Sequence, residues 1–112
     1  MDVKERLELL FGAMAESKKS LARASEMVLT CQVALKSAEV AILNSYDPKM
    51  LGSNDTVRAT KIRGMTSDAR NDLDEAERKK REASLKYELD SLAVDCLKWQ
   101  IRADLAEKGM TI

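Results

Sequence analysis

The sequence predicts an all-α protein: an elongated antiparallel helical hairpin of coiled-coil type, with a short helix near its turn, that assembles into a multi-helix bundle. Three observations carry this. Leu7, Met14, Leu21, Val28, Leu35 and Ile42 recur every seven residues and alternate with Val3, Leu10, Ser17, Ala24, Cys31, Ala38 and Ser45. Steps of four and three keep one seam of a helix turned toward a partner helix. Of the 112 residues 34% are charged and only 4% aromatic, with a single proline, a composition that suits long helices. Finally, the turn-forming residues Asp47-Pro48 and Gly52-Ser53-Asn54 separate this seam from a second periodic stretch.

The first helix is expected over residues 3–45, capped by Asp2, whose carboxylate also suits the positive end of the helix dipole. At about 1.5 Å per residue it would be roughly 64 Å long. One seam row is large and the other mostly small. A flanking row, Ala13, Ser20, Met27, Ala34 and Ala41, widens the apolar face enough to touch more than one neighbour. Gly12 lies opposite the seam at a cost of about 1 kcal/mol relative to Ala.

Residues 46–54 are expected to form the turn, because Pro48 disfavours helical geometry in the residue before it. Asn54 or Asp55 then caps a short helix, residues 55–63. Gly64 marks a second break, with Thr66 or Ser67 capping the last helix. The alternative is one continuous helix with a weak spot at Gly64. The last helix, residues 67–107, carries a seam of Ala69, Leu73, Ala76, Ala83 and Tyr87, continued by Val94, Leu97 and Ile101. From Leu85 a second row appears: Leu85, Leu89, Leu92, Cys96, Trp99, Ala103 and Ala106. It is read as adjacent to the first, so that this end is buried on a wide face. Gly109 supplies the stop after Lys108.

A short connection makes the two long helices antiparallel neighbours in a single domain. Leu7, Leu9, Leu10, Phe11 and Met14 then come beside the doubly apolar end of the last helix. One antiparallel partner covers only one row, so Leu85, Leu89, Leu92, Cys96, Trp99 and Ala103 are expected at an interface between copies, in a dimer or higher homo-oligomer. Trp99 is placed there rather than inside one hairpin.

The chemistry-bearing residues are few. There is no histidine, which removes the commonest general base and metal ligand. No glycine-rich phosphate loop occurs. Cys31 and Cys96 fall at apolar positions and read as buried, reduced thiols. Glu5, Glu8, Glu16 and Glu26 lie on the solvated face. No catalytic residue, metal or cofactor is expected, and the chain reads as non-enzymatic.

Lys plus Arg equals Asp plus Glu at 19 each, a balance that argues against a dedicated nucleic-acid or membrane-surface binder. The basic run Arg78-Lys79-Lys80-Arg81 is compensated by acids four residues earlier, Asp74, Glu75 and Glu77, and Glu82 likewise precedes Lys86. Arg58, Lys61, Arg63 and Arg70 are less compensated and are the candidate anion-binding residues. Through them a nucleic-acid accessory role, or sequestration of a small anionic nucleotide, is the alternative to protein interaction. The N-terminal residues lack the order of a signal peptide, and no apolar stretch approaches about 18 residues. A soluble, cytoplasmic protein is expected.

Gly52-Ser53-Asn54 followed by Arg58 forms G-S-N-x-x-x-R between two long helices, and Ala76-Glu77, Ala83, Leu85 and Leu89 follow with helical spacing. Over residues 44–95 this resembles a group of small phage and prophage helical-hairpin proteins of unassigned function. The resemblance implies a small phage-encoded helical hairpin of the host cytoplasm, and it transfers no catalytic residue. The leading expectation for function is a non-enzymatic homo-oligomer that acts through protein interaction, as a phage accessory or anti-defence factor. Physically, Gly52, Asn54 and Arg58 form a turn clamp: a left-handed residue, a cap, and a guanidinium reaching the carbonyl end of the first helix.

Overall fold

Asp2 opens the first helix as its residue type predicts. Its carboxylate accepts from the Glu5 amide at 2.8 Å, and its carbonyl accepts from the Arg6 amide at 3.0 Å. The computed structural model describes residues 2–109, which are 92% helical with no strand among them. The elements are α1 (Val3–Ser45), α2 (Pro48–Leu51), α3 (Asp55–Met65) and α4 (Ser67–Glu107). The long helices α1 and α4 pack as a hairpin, with the short helices between them. No helix is long and apolar enough to cross a membrane among the described residues.

The chain divides into two compact units, each containing a stretch of α1 and a stretch of α4. The first joins the described residues up to Arg23 to those from Arg81 onward. Here Leu7, Leu10, Met14 and Leu21 are half-buried and Ser17 is buried, while α4 contributes buried Val94 and Leu97 with half-buried Tyr87, Ile101 and Leu105. Burying each such aliphatic side chain is worth about 1.5–3 kcal/mol. Ser17 is accommodated because its hydroxyl donates to the Met14 carbonyl at 3.0 Å, so the small seam position leaves no polar atom stranded. Phe11 is exposed beyond the seam, with the Lys98 ammonium 5.5 Å from its ring centroid.

The second unit spans Ala24–Lys80. Val28 and Ala76 are buried, and Cys31, Leu35, Ala38, Ile42, Ala69 and Leu73 are half-buried. Leu51, at 2% exposure, plugs this unit from the turn. The heptad seam of α1 thus lies inward at every position except its end residues Val3 and Ser45.

The turn is more structured than expected. Within residues 46–54, Pro48–Leu51 forms the single-turn helix α2, capped by Asp47, whose side chain accepts from the Lys49 amide at 3.0 Å. Pro48 stands at the first helical position, where its missing N–H costs nothing. Asn54 caps α3 by accepting from the Val57 amide at 2.9 Å.

The break between the last two helices also lies elsewhere. Gly64 is helical inside α3, which runs on to Met65 rather than ending at residue 63. The interruption is Thr66, with φ −109° and ψ 18°. Its hydroxyl donates back to the Ile62 carbonyl at 2.8 Å instead of capping α4. Backbone bonds from Thr66 to Ile62 and from Arg70 to Thr66, both 3.0 Å, carry the ladder through. The junction therefore lies between the two sequence-based alternatives: one irregular residue in an otherwise continuous hydrogen-bond ladder. A threonine that bonds its own preceding turn bends a helix where a solvent-facing glycine need not. Gly109, at φ +74°, ends the last helix after Lys108, its amide bonded to the Ala106 carbonyl at 3.0 Å.

Candidate protein-interaction surface

Leu92 is 57% exposed and Trp99 is 67% exposed, while Val94 and Leu97 stand at 2% and 3%. At about 100° per residue, two positions along a helix turn a side chain through roughly 200°. The second row of α4 is therefore opposite the first, not adjacent to it. Leu85, Leu89, Cys96, Ala103 and Ala106 share this outward face and are likewise exposed. The wide buried face expected at this end is in fact two faces, one covered by α1 and the other by nothing among the described residues. Cys96 is accordingly exposed rather than buried, Cys31 is half-buried, and both are free thiols.

The outward row has a built edge. The Arg102 guanidinium lies 5.2 Å from the Trp99 ring centroid, holding its charge along the row. On the same side, Asp95 is exposed and takes part in no ion pair among the described residues.

The heptad seam does not account for a further outward row. Leu29, Val33, Val40 and Leu43 on α1 are all exposed, in the second unit for their whole length. Their steps are again four and three, interrupted at Lys36, and that spacing is the signal the sequence carries for them. The flanking row Ala13, Ser20, Met27, Ala34 and Ala41 is exposed throughout as well, so it widens no buried face.

The cations near the turn are largely committed to the fold. Arg58 Nε donates to the Gly52 carbonyl at 3.1 Å, and its guanidinium pairs with Asp55 at 3.5 Å. The clamp thus closes on the loop after α2, not on the carbonyl end of α1. Lys61 Nζ donates to the Met50 carbonyl at 2.7 Å. Arg70 pairs with Glu39 at 2.9 Å and donates to Thr66 Oγ1 at 3.2 Å. Arg63 is exposed and lines a shallow depression with Asp55, Thr56, Thr60 and Arg70. An anion arriving there would meet Asp55 and one uncommitted guanidinium.

The clamp itself is a matter of space. Gly52 has φ +136°, and a Cβ there would stand 2.4 Å from Val57 Cγ1. Only glycine fits both the backbone and the contact.

Along the basic run, Arg78 bonds both carboxylate oxygens of Glu75, three residues earlier, its Nε at 3.0 Å. Lys86 reaches forward to Asp90 at 3.2 Å. The observed partners of Arg78 and Lys86 thus differ from the four-back pairs expected, while the outcome, a helix surface that compensates its own charge, is the same. The hydrogen bond from Arg78, joined by the charges of Arg78 and Lys79 and opposed by desolvation, holds the Glu75 carboxyl below its ordinary value.

Compared with protein-family models, with curated proteins and with solved structures, the chain gives no significant match to any. Among the described residues, no group of three or more Cys, Asp or Glu side chains gathers as a metal site.

Proposed function

We propose that the chain is a non-enzymatic helical protein that works by docking, and that its outward α4 row joins it to a second copy of itself. The observation that carries this reading is the contrast on one helix between buried Val94 and Leu97 and exposed Leu85, Leu89, Leu92 and Trp99. Four large apolar side chains in register on an ordered helix form a contiguous stripe, and such stripes mark interaction sites. Trp and Leu flanked by charge suit a helix-to-helix contact. The second outward row, Leu29, Val33, Val40 and Leu43, offers a separate surface for another protein.

Sedimentation equilibrium tests the reading. Association to at least twice the 12.5 kDa chain mass at micromolar concentration supports it. A monomer persisting to hundreds of micromolar overturns it.

A further inference from the structure

The outward row of α4 also carries enough pattern to say how a second copy would lie on it. Leu85, Leu92, Trp99 and Ala106 alternate with Leu89, Cys96 and Ala103, a second heptad seam of its own. One flank carries Arg81, Glu88, Asp95 and Arg102, and the other Lys86, Ala93, Gln100 and Glu107. In a coiled coil these flanks decide orientation and register.

We infer that α4 pairs with α4 of a second copy in antiparallel fashion, with Trp99 of each copy over Cys96 of the other and Asp95 of each beside Arg102 of the other. This rests on the reading that the row meets a second copy. Two independent features select the register. The first is size: it sets Leu92 over Ala103 and Leu89 over Ala106, as well as Trp99 over Cys96. Large side chains thus meet small ones in these three layers and can interdigitate. The second is charge. Asp95 meets Arg102, and Lys86 meets Glu107 on the other flank, each twice by the two-fold symmetry of such a pair.

The competing arrangements fail on one count or both. Sliding the copies by a heptad pairs Glu88 with Arg102 but sets Asp95 against Asp95 on the axis. A further heptad sets Arg81 against Arg102 and Glu88 against Asp95. A parallel pair stacks Trp99 on Trp99 and places Arg81 beside Lys86. Like charges directly opposed in a helix pair cost affinity and exclude wrong partners. The single chain is already arranged for the favoured register, since Arg102 lies along Trp99 and Asp95 has no ion-pair partner among the described residues.

Asp95→Arg and Arg102→Asp chains test the register when made separately and then mixed. In the inferred pair, each variant alone sets like charges together twice, so self-association should weaken by roughly tenfold. A one-to-one mixture restores opposite charges at both contacts. The arginine introduced into one chain faces the aspartate introduced into the other, and the native Arg102 of the first faces the native Asp95 of the second. Mixed association should then approach that of the parent and fall with added salt. Circular dichroism confirms that each variant keeps its helix. If the parent associates but neither variant weakens, or the mixture associates no better than the variants alone, the register is overturned while docking through α4 stands. A parent that stays monomeric overturns both.

Discussion

Arg70 on α4 bonds Glu39 on α1 at 2.9 Å while its Nε donates to Thr66 Oγ1 at 3.2 Å. One guanidinium thereby ties the two long helices together beside the irregular residue that separates α3 from α4. The Thr66 hydroxyl is buried, accepts from Arg70 and donates to the Ile62 carbonyl. The irregular junction, the ion pair and the α1 contact form one network within a single unit.

Thr66→Val keeps the shape and removes the hydroxyl. It leaves the Arg70 Nε without its internal acceptor, and should cost about 1–2 kcal/mol. Glu39→Ala leaves a guanidinium that is a third exposed, so the loss should be smaller, about 1 kcal/mol or less after screening. Urea titrations of the two single variants and the double variant measure the coupling. A coupling near zero would show that the residues act independently.

Gly52→Ala should destabilise the chain by about 1–3 kcal/mol, because the backbone there is left-handed and the new methyl meets Val57. Adding Val57→Ala removes the Cγ1 collision but leaves the Val57 Cβ and the Arg58 amide close, as well as the backbone strain, so rescue should be partial. Thermal melts of the single and double variants separate the two contributions.

The two faces of α4 should respond oppositely to the same chemistry. Leu97→Asp puts a carboxylate into the covered seam without a partner and should cost several kcal/mol, roughly 3–5 before relaxation. Leu92→Asp should leave helix content unchanged and abolish self-association. Circular dichroism with sedimentation velocity on both variants checks the assignment, and a fold equally damaged by Leu92→Asp would contradict it.

Lowering the pH should remove the contribution of the Glu75–Arg78 pair. Its carboxyl titrates below the ordinary 4.5 in the folded chain. The pair therefore stabilises fully above that value, and the stabilisation is lost as pH falls through the lower folded value. Glu75→Gln should flatten only that acid limb of the stability profile, and only slightly because the pair is on the surface.

Much of this fold was legible because a strict 4-3 period leaves few alternatives. The α1 seam from Leu7 to Ile42 and the α4 seam through Ala76, Val94 and Leu97 need only the helical repeat. The cap residues Asp2 and Asn54 and the stop at Gly109 follow from their chemistry. The one-turn helix α2 had a signal, an Asp cap before Pro48, that the turn propensity of the same residues obscured. Thr66 displaced the break from Gly64 because a hydroxyl's local bond depends on φ and ψ rather than on composition. Arg70 reads as less compensated in the sequence because its partner, Glu39, is thirty-one residues away. The face occupied by the α4 row was misjudged because two rows in one sequence window share residues of similar type. Only the offset of two residues between Leu92 and Val94 reveals that they point apart.

The reading of α4 as a docking helix meets its most direct test in the fluorescence of Trp99, the single tryptophan of the chain. In one copy this indole is 67% exposed. Its emission should therefore shift from that of a hydrated indole to that of a buried one as concentration rises through the association range, and return on dilution. Emission that stays that of a water-exposed indole while sedimentation shows an intact oligomer would place the interface elsewhere and contradict the account.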